Sequence, residues 1–196
     1  MRMKAAVLLA ALTLALAGCG PDGPRFKATD VTGTEFGRDF ALTDHAGKAR
    51  TVADFRGKVV VLFFGYTQCP DVCPTTLSAL AEAIRRLGPD GARVQVLFVT
   101  VDPERDTAEL LSHYVTAFGP SFLGLRGDAD ATARTAKEFK ILYQKQPGRT
   151  PGTYTMDHSA GTFVFDSEGR LRLYVGHGQD ADFFAHDLRE LLRTSG

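Results

Sequence analysis

The sequence predicts an α/β fold, a three-layer α/β/α sandwich around a mixed central sheet. Three observations lead there. Residues 58–64 (KVVVLFF) and 93–101 (RVQVLFVTV) are continuous apolar, β-branched and aromatic runs, as expected of strands covered on both faces. Between them, residues 75–87 place Leu77, Leu80, Ala81, Ile84 and Leu87 at helical spacing, and Gly88 with Pro89 ends the helix. Strand, helix and strand in that order imply parallel pairing through a right-handed crossover.

The later elements follow from the same periodicities. Asp106-Thr107-Ala108-Glu109 has the form of a capping box with Asp106 at the cap, and Leu110, Leu111, Tyr114, Val115 and Phe118 continue as one helical face up to Gly119-Pro120. Residues 122–125 suit a short strand, and 130–139 a helix with Ala133, Ala136 and Phe139 inward. Residues 143–156 are polar and rich in Gly, Pro and Thr, which predicts a loop or hairpin insertion. Residues 162–165 and 171–175, joined by a turn at Ser167-Glu168-Gly169, predict an antiparallel hairpin. A last helix over 182–193 uses Phe184, Leu188, Leu191 and Leu192. The whole order resembles a thioredoxin-like fold, in which ligands gather beyond the carboxyl ends of the strands.

At that end of the first central strand stands Gly65-Tyr66-Thr67-Gln68-Cys69-Pro70-Asp71-Val72-Cys73-Pro74. Each proline disfavours the α region for the cysteine before it, so both cysteines are expected in the loop and at the helix start. Pro74 suits the first helical position and Cys73 the cap, where free N–H groups and the helix dipole favour a thiolate. A disulfide across so short a loop removes little unfolded-chain entropy, so a purely structural staple is a poor reading.

The N-terminus is a basic Met1-Arg2-Met3-Lys4 followed by an apolar run too short to span a bilayer, which predicts a signal peptide over 1–18. Its end, Leu16-Ala17-Gly18-Cys19, resembles a bacterial lipobox. That resemblance implies cleavage before Cys19 and acylation of it, hence an exported domain lipid-anchored to the bacterial cell membrane and facing the periplasm or cell exterior. Residues 19–30, with Pro21, Gly23 and Pro24, read as the acylated cysteine and a tether, and 31–196 as one folded domain. Lys+Arg and Asp+Glu both total 23 without a basic block, which argues against nucleic acid as a partner.

Two chemistries fit Cys69 and Cys73. Thiol–disulfide exchange suits a cysteine pair between strand and helix. The usual reductase pattern, Cys-x-x-Cys with a flanking tryptophan, is nonetheless absent, since three residues separate the thiols and the chain has no tryptophan. A metal site needs a further donor: two soft thiolates and an imidazole suit Cu(I) or Cu(II), with zinc as competitor. Of the five histidines, His158 in Met156-Asp157-His158-Ser159-Ala160-Gly161 precedes a core strand and is the best placed, with His177 as the alternative. His45, His113 and His186 read as solvated or hydrogen-bonded residues.

Three blocks then carry a specific resemblance. Residues 64–74, Val101-Asp102-Pro103-Glu104-Arg105-Asp106-Thr107 and Asp157-His158-Ser159-Ala160-Gly161-Thr162 resemble the signature segments of the Sco/SenC copper proteins in order and spacing. The resemblance implies a thioredoxin-like copper chaperone in cytochrome c oxidase assembly, with Cys69, Cys73 and His158 as copper ligands. It implies as partners the copper-accepting subunit of the oxidase and other copper chaperones or thiol reductants. The alternative is an exported membrane-anchored thiol–disulfide oxidoreductase or redox sensor. Asp157 would orient the imidazole or cap a strand, Met156 would pack in the core, Gln68 and Tyr66 would tune the thiols, and residues 102–106 would shape the rim.

Overall fold

The computed structural model describes residues 23–194. The signal-like run and Cys19 lie outside them. Among the described residues no helix is long and apolar enough to cross a membrane.

An eight-stranded mixed sheet forms the middle layer. In chain order its strands are β1 (Thr29–Asp30), β2 (Leu42–Asp44), β3 (Ala49–Arg50), β4 (Val59–Gly65), β5 (Val94–Thr100), β6 (Phe122–Arg126), β9 (Thr162–Phe165) and β10 (Leu171–Val175). In space they run β1-β10-β9-β4-β5-β6-β2-β3. The pairings β4–β5 and β5–β6 are parallel, whereas β9 runs antiparallel to both β4 and β10, as the hairpin motif predicts.

Continuous apolar strands need cover on both sides, and the alternation of side chains provides for it. Val59, Val61 and Phe63 point to one face of the sheet, under α1 (Val72–Arg86), α2 (Ala108–Thr116) and α4 (Ala181–Thr194). Val60, Leu62 and Phe64 point to the other face, where they meet Phe139 at the end of α3 (Ala129–Glu138), Val52, Phe55 and Met156. Phe184, Leu188, Leu191 and Leu192 are buried on α4, as the helical spacing predicts. Two inward assignments fail: Leu110 and Ala133 are exposed, because α2 seats Leu111 and Val115 and α3 seats Thr132, Thr135 and Ala136 instead. Helical spacing names a stripe, and only packing fixes its edge.

The insertion is a hairpin with its own sheet, β7 (Tyr143–Pro147) paired antiparallel with β8 (Tyr154–His158). It folds back toward the carboxyl ends of β4 and β5 and leaves His158 at the last position of β8.

Candidate metal centre

Cys69 and Cys73 lie where β4 gives way to α1. Gly65 ends β4, and a Cβ there would stand 2.8 Å from Cys73 Sγ and 2.7 Å from a Phe98 ring carbon. Glycine is required at this point because the buried sulfur and the ring occupy the space of a side chain. The chain then turns through a Cys69 N–H bond to the Tyr66 carbonyl, 3.2 Å, and enters α1 with Asp71 as N-cap.

This corrects the predicted cap. Cys73 is the second residue of α1 and Pro74 the third, both helical. The first-turn N–H groups have no intrahelical acceptors, so a proline there forfeits nothing, and the pre-proline bias against helix yields. Cys69 takes the capping part instead: its Sγ accepts the Cys73 backbone N–H at 3.4 Å. The electrostatic consequence is reversed as well. The Cys69 thiol is drawn down to about 3 by the proton of the Cys73 thiol, the His158 ring and the backbone N–H groups of Cys73 and Asp71, against the opposing effect of burial. Cys73 is fully buried and its thiol is pushed far up, first because its proton serves Cys69, then by burial and the negative charge of Cys69 and Asp106. Neither cysteine is in a disulfide.

His158 reaches the pair from β8, its Nε2 3.9 Å from Cys73 Sγ. Its Nδ1 faces the Ser159 carbonyl at 3.0 Å. A carbonyl only accepts, so Nδ1 carries the proton and Nε2 turns a lone pair toward the sulfurs in the neutral ring. Tyr66 stands edge-on to the imidazole, ring centroids 6.0 Å apart. Burial raises the Tyr66 hydroxyl pKa, keeping it protonated, and Met156 is buried among the core side chains as predicted. Asp157 has neither predicted part. It is exposed in the middle of β8, and the imidazole is oriented by Ser159.

Sequence reasoning undervalued the support behind the donors. Asp106 is no cap: Thr107 is the N-cap of α2, its hydroxyl accepting from Leu110 N–H at 3.2 Å. Asp106 is instead fully buried, accepting from Thr67 Oγ1 at 2.6 Å, Thr67 N at 3.1 Å and Thr100 Oγ1 at 2.5 Å, and so ties the cysteine loop to the end of β5. Arg105 joins three segments. Its guanidinium pairs with buried Asp102, donates to Gln68 Oε1 at 3.2 Å and to the Tyr154 carbonyl at 2.9 Å, and stacks 3.6 Å from the Tyr154 ring centre. The Tyr154 hydroxyl also donates to Asp102, 2.9 Å. A charged pentad straight after a buried strand was the available signal, because charge beside a core strand end needs partners.

The other histidines lie elsewhere. His45 Nδ1 accepts from Gly124 N–H at 3.1 Å, His186 pairs with Asp187, His113 is exposed on α2, and His177 is exposed in the turn after β10. Among the described residues no three Cys, His, Asp or Glu side chains already form a closed metal cage. A sulfur and a nitrogen sharing one ion at ordinary bond lengths would lie about 3.6 Å apart, so closure on an ion requires a shift of only a few tenths of an ångström from the 3.9 Å seen.

The SCO1/SenC family profile matches residues 28–193. The chain belongs to the SCO1/SenC family. It is 37% identical over 153 residues to the mouse (Mus musculus) protein named "Protein SCO2 homolog, mitochondrial", covering 77% of this chain and 60% of that protein. The chain thus spans less than two thirds of the length of such relatives. The structure of Bradyrhizobium japonicum ScoI with copper bound superposes with a TM-score of 0.72 at 38% identity, covering 80% of this chain and 99% of that one. Apo Sco1 from Thermus thermophilus superposes with a TM-score of 0.72 at 44% identity, covering 89% and 99%. The predicted family and thioredoxin-like fold are therefore both borne out.

Proposed function

We propose that this SCO1/SenC protein binds copper as cargo through Cys69, Cys73 and His158 and passes it to the copper-accepting subunit of cytochrome c oxidase. The observation that carries the reading is the convergence of two soft sulfurs and an imidazole lone pair at the carboxyl end of β4. Membership of a family with a copper-bound neighbour supports copper over zinc.

The asymmetry of the thiols gives an order of events. Cys69, ionised and half-exposed, meets the incoming ion first, attracting it with a preformed negative charge. Once its proton acceptor is engaged by the metal, Cys73 gives up its proton to solvent and becomes the second thiolate. His158 closes the site through Nε2, its ring held by the Ser159 carbonyl. Transfer reverses these steps, with His158 the easiest donor to release because it sits on a separate hairpin. Oxidation of the two thiols to a disulfide, losing two electrons and two protons, would remove both sulfur donors and halt binding.

A second reading, thiol–disulfide exchange, is favoured by one feature: an ionised, accessible Cys69 beside a buried, protonated Cys73 is the pairing of an attacking and a resolving thiol. Copper stoichiometry of the reduced protein, measured beside its disulfide-reductase rate, separates the two. One copper per chain, lost in Cys69→Ser and Cys73→Ser, with a negligible reductase rate supports delivery. No copper retention with rapid turnover of a disulfide substrate overturns it.

The anchor belongs to the same proposal. Acylation of Cys19 would hold the domain at the bacterial membrane through a short tether, and mass spectrometry of membrane-extracted protein tests it. An unmodified Cys19 sulfur would refute the anchor while leaving the metal site untouched.

A further inference from the structure

Between the β7–β8 hairpin and the body of the domain lies a cleft of about 340 Å³ that the metal site does not use. It opens beside the first turn of α3 and the end of β6. Two of its polar atoms lack any hydrogen-bond partner although both are buried: Thr132 Oγ1 and Arg126 Nε. Thr132 is only 2% exposed. An orphaned buried donor costs about 1–3 kcal/mol, so two facing one cleft point to a missing acceptor. The volume is several times what a single water fills.

The charges select the acceptor. Lys145 is bound to Glu104 at 2.6 Å, and Asp102 to Arg105 and to the Tyr154 hydroxyl. Arg126 alone has no carboxylate partner among the described residues; its Nη2 donates to the Pro103 carbonyl at 3.1 Å, which fixes the guanidinium and leaves Nε to the cleft. Asp128 is engaged as the N-cap of α3, accepting from Ala131 N–H at 2.7 Å, and adds a negative charge at the mouth. One free guanidinium opposed by nearby carboxylates suits a single negative charge better than a dianion. Val101, Pro103, Tyr143 and Met156 supply an apolar wall.

We propose that this cleft binds a small monocarboxylate, one oxygen on Arg126 Nε and the other on Thr132 Oγ1, with its apolar tail against Met156 and Tyr143. The ligand bridges the hairpin and the body, two residues along β8 from His158. The site is independent of the copper reading, and it is tested in the metal-free protein.

Butyrate and inorganic phosphate are titrated separately into the reduced, metal-free protein, with amide shifts followed by NMR. Butyrate should give saturable shifts at Gly127, Thr132 and Met156. Thr132→Val and Arg126→Gln should each weaken it about tenfold, the loss of one charge-assisted hydrogen bond, with far-UV circular dichroism confirming that the variants fold. If one variant fails to fold, the other decides alone. Shifts that never saturate, or an affinity unchanged in a folded variant, overturn the site. Phosphate binding as tightly as butyrate overturns the ligand class.

Discussion

Cys73 Sγ and His158 Nε2 stand 3.9 Å apart across 85 residues of sequence. The sulfur is fixed in the first turn of a buried helix and the imidazole rides on a hairpin outside the main sheet. The two halves of the donor set therefore rest on elements of unequal rigidity, which shapes what each substitution should do.

His158→Ala should leave the fold nearly unchanged, since the side chain is half-buried at a strand end. Copper affinity should fall by more than about 100-fold, beyond the usual loss for an outer-shell partner. Competition against a calibrated copper chelator measures it, and wild-type affinity in the variant would remove His158 from the site.

Gly65→Ala should be costly although alanine is the smallest change available. The new Cβ would press on Cys73 Sγ and the Phe98 ring at 2.8 and 2.7 Å, so overpacking of about 1–3 kcal/mol is expected, with Cys73 displaced. A lowered melting temperature together with weakened copper binding is the expected pair of results. A stable variant with intact binding would show that the sulfur can move freely.

Alkylation should separate the two thiols. Because the Cys69 pKa lies far below the ordinary thiol value of about 8.5, Cys69 is ionised over the range from about pH 5 to 8 and its reaction with iodoacetamide should be nearly flat there. An ordinary thiol would slow about tenfold for each unit of falling pH in that range. Cys73, raised and buried, should remain unmodified until the protein unfolds. Mass spectrometry assigns the label, and a rate rising tenfold per unit would contradict the capped-thiolate geometry.

Arg105→Met should loosen the hairpin more than the sheet. It keeps much of the side-chain bulk but abandons buried Asp102 and frees Gln68 and the Tyr154 carbonyl, a loss of about 3 kcal/mol for a broken partly buried pair. Hydrogen exchange should quicken at Tyr154–His158 while β4 and β5 stay protected. Equal loss of protection throughout would mean that Arg105 serves the whole fold rather than the hairpin.

Much of this was legible in the chain. The runs at 58–64 and 93–101 could only be covered parallel strands, because seven consecutive apolar side chains alternate between two faces that both need burial, and β4 and β5 are those strands. Cys69, Cys73 and His158 were named from residue chemistry and the three signature blocks, since soft donors before a helix and an imidazole before a core strand are local signals. What the sequence could not decide was which sulfur would carry the charge. Local rules assigned Cys73 to the cap, yet Cys69 folds back onto the first N–H groups of α1 while burial keeps the Cys73 proton in place. The same holds for Asp106, locally a cap and in fact a latch between Thr67 and Thr100, and for Arg105, whose partners come from three segments. Periodicity and turn chemistry act over a few residues and so are written in the order of the chain. Desolvation and hydrogen-bond pairing act through space, and only the packed molecule fixes which groups must share a proton or a charge.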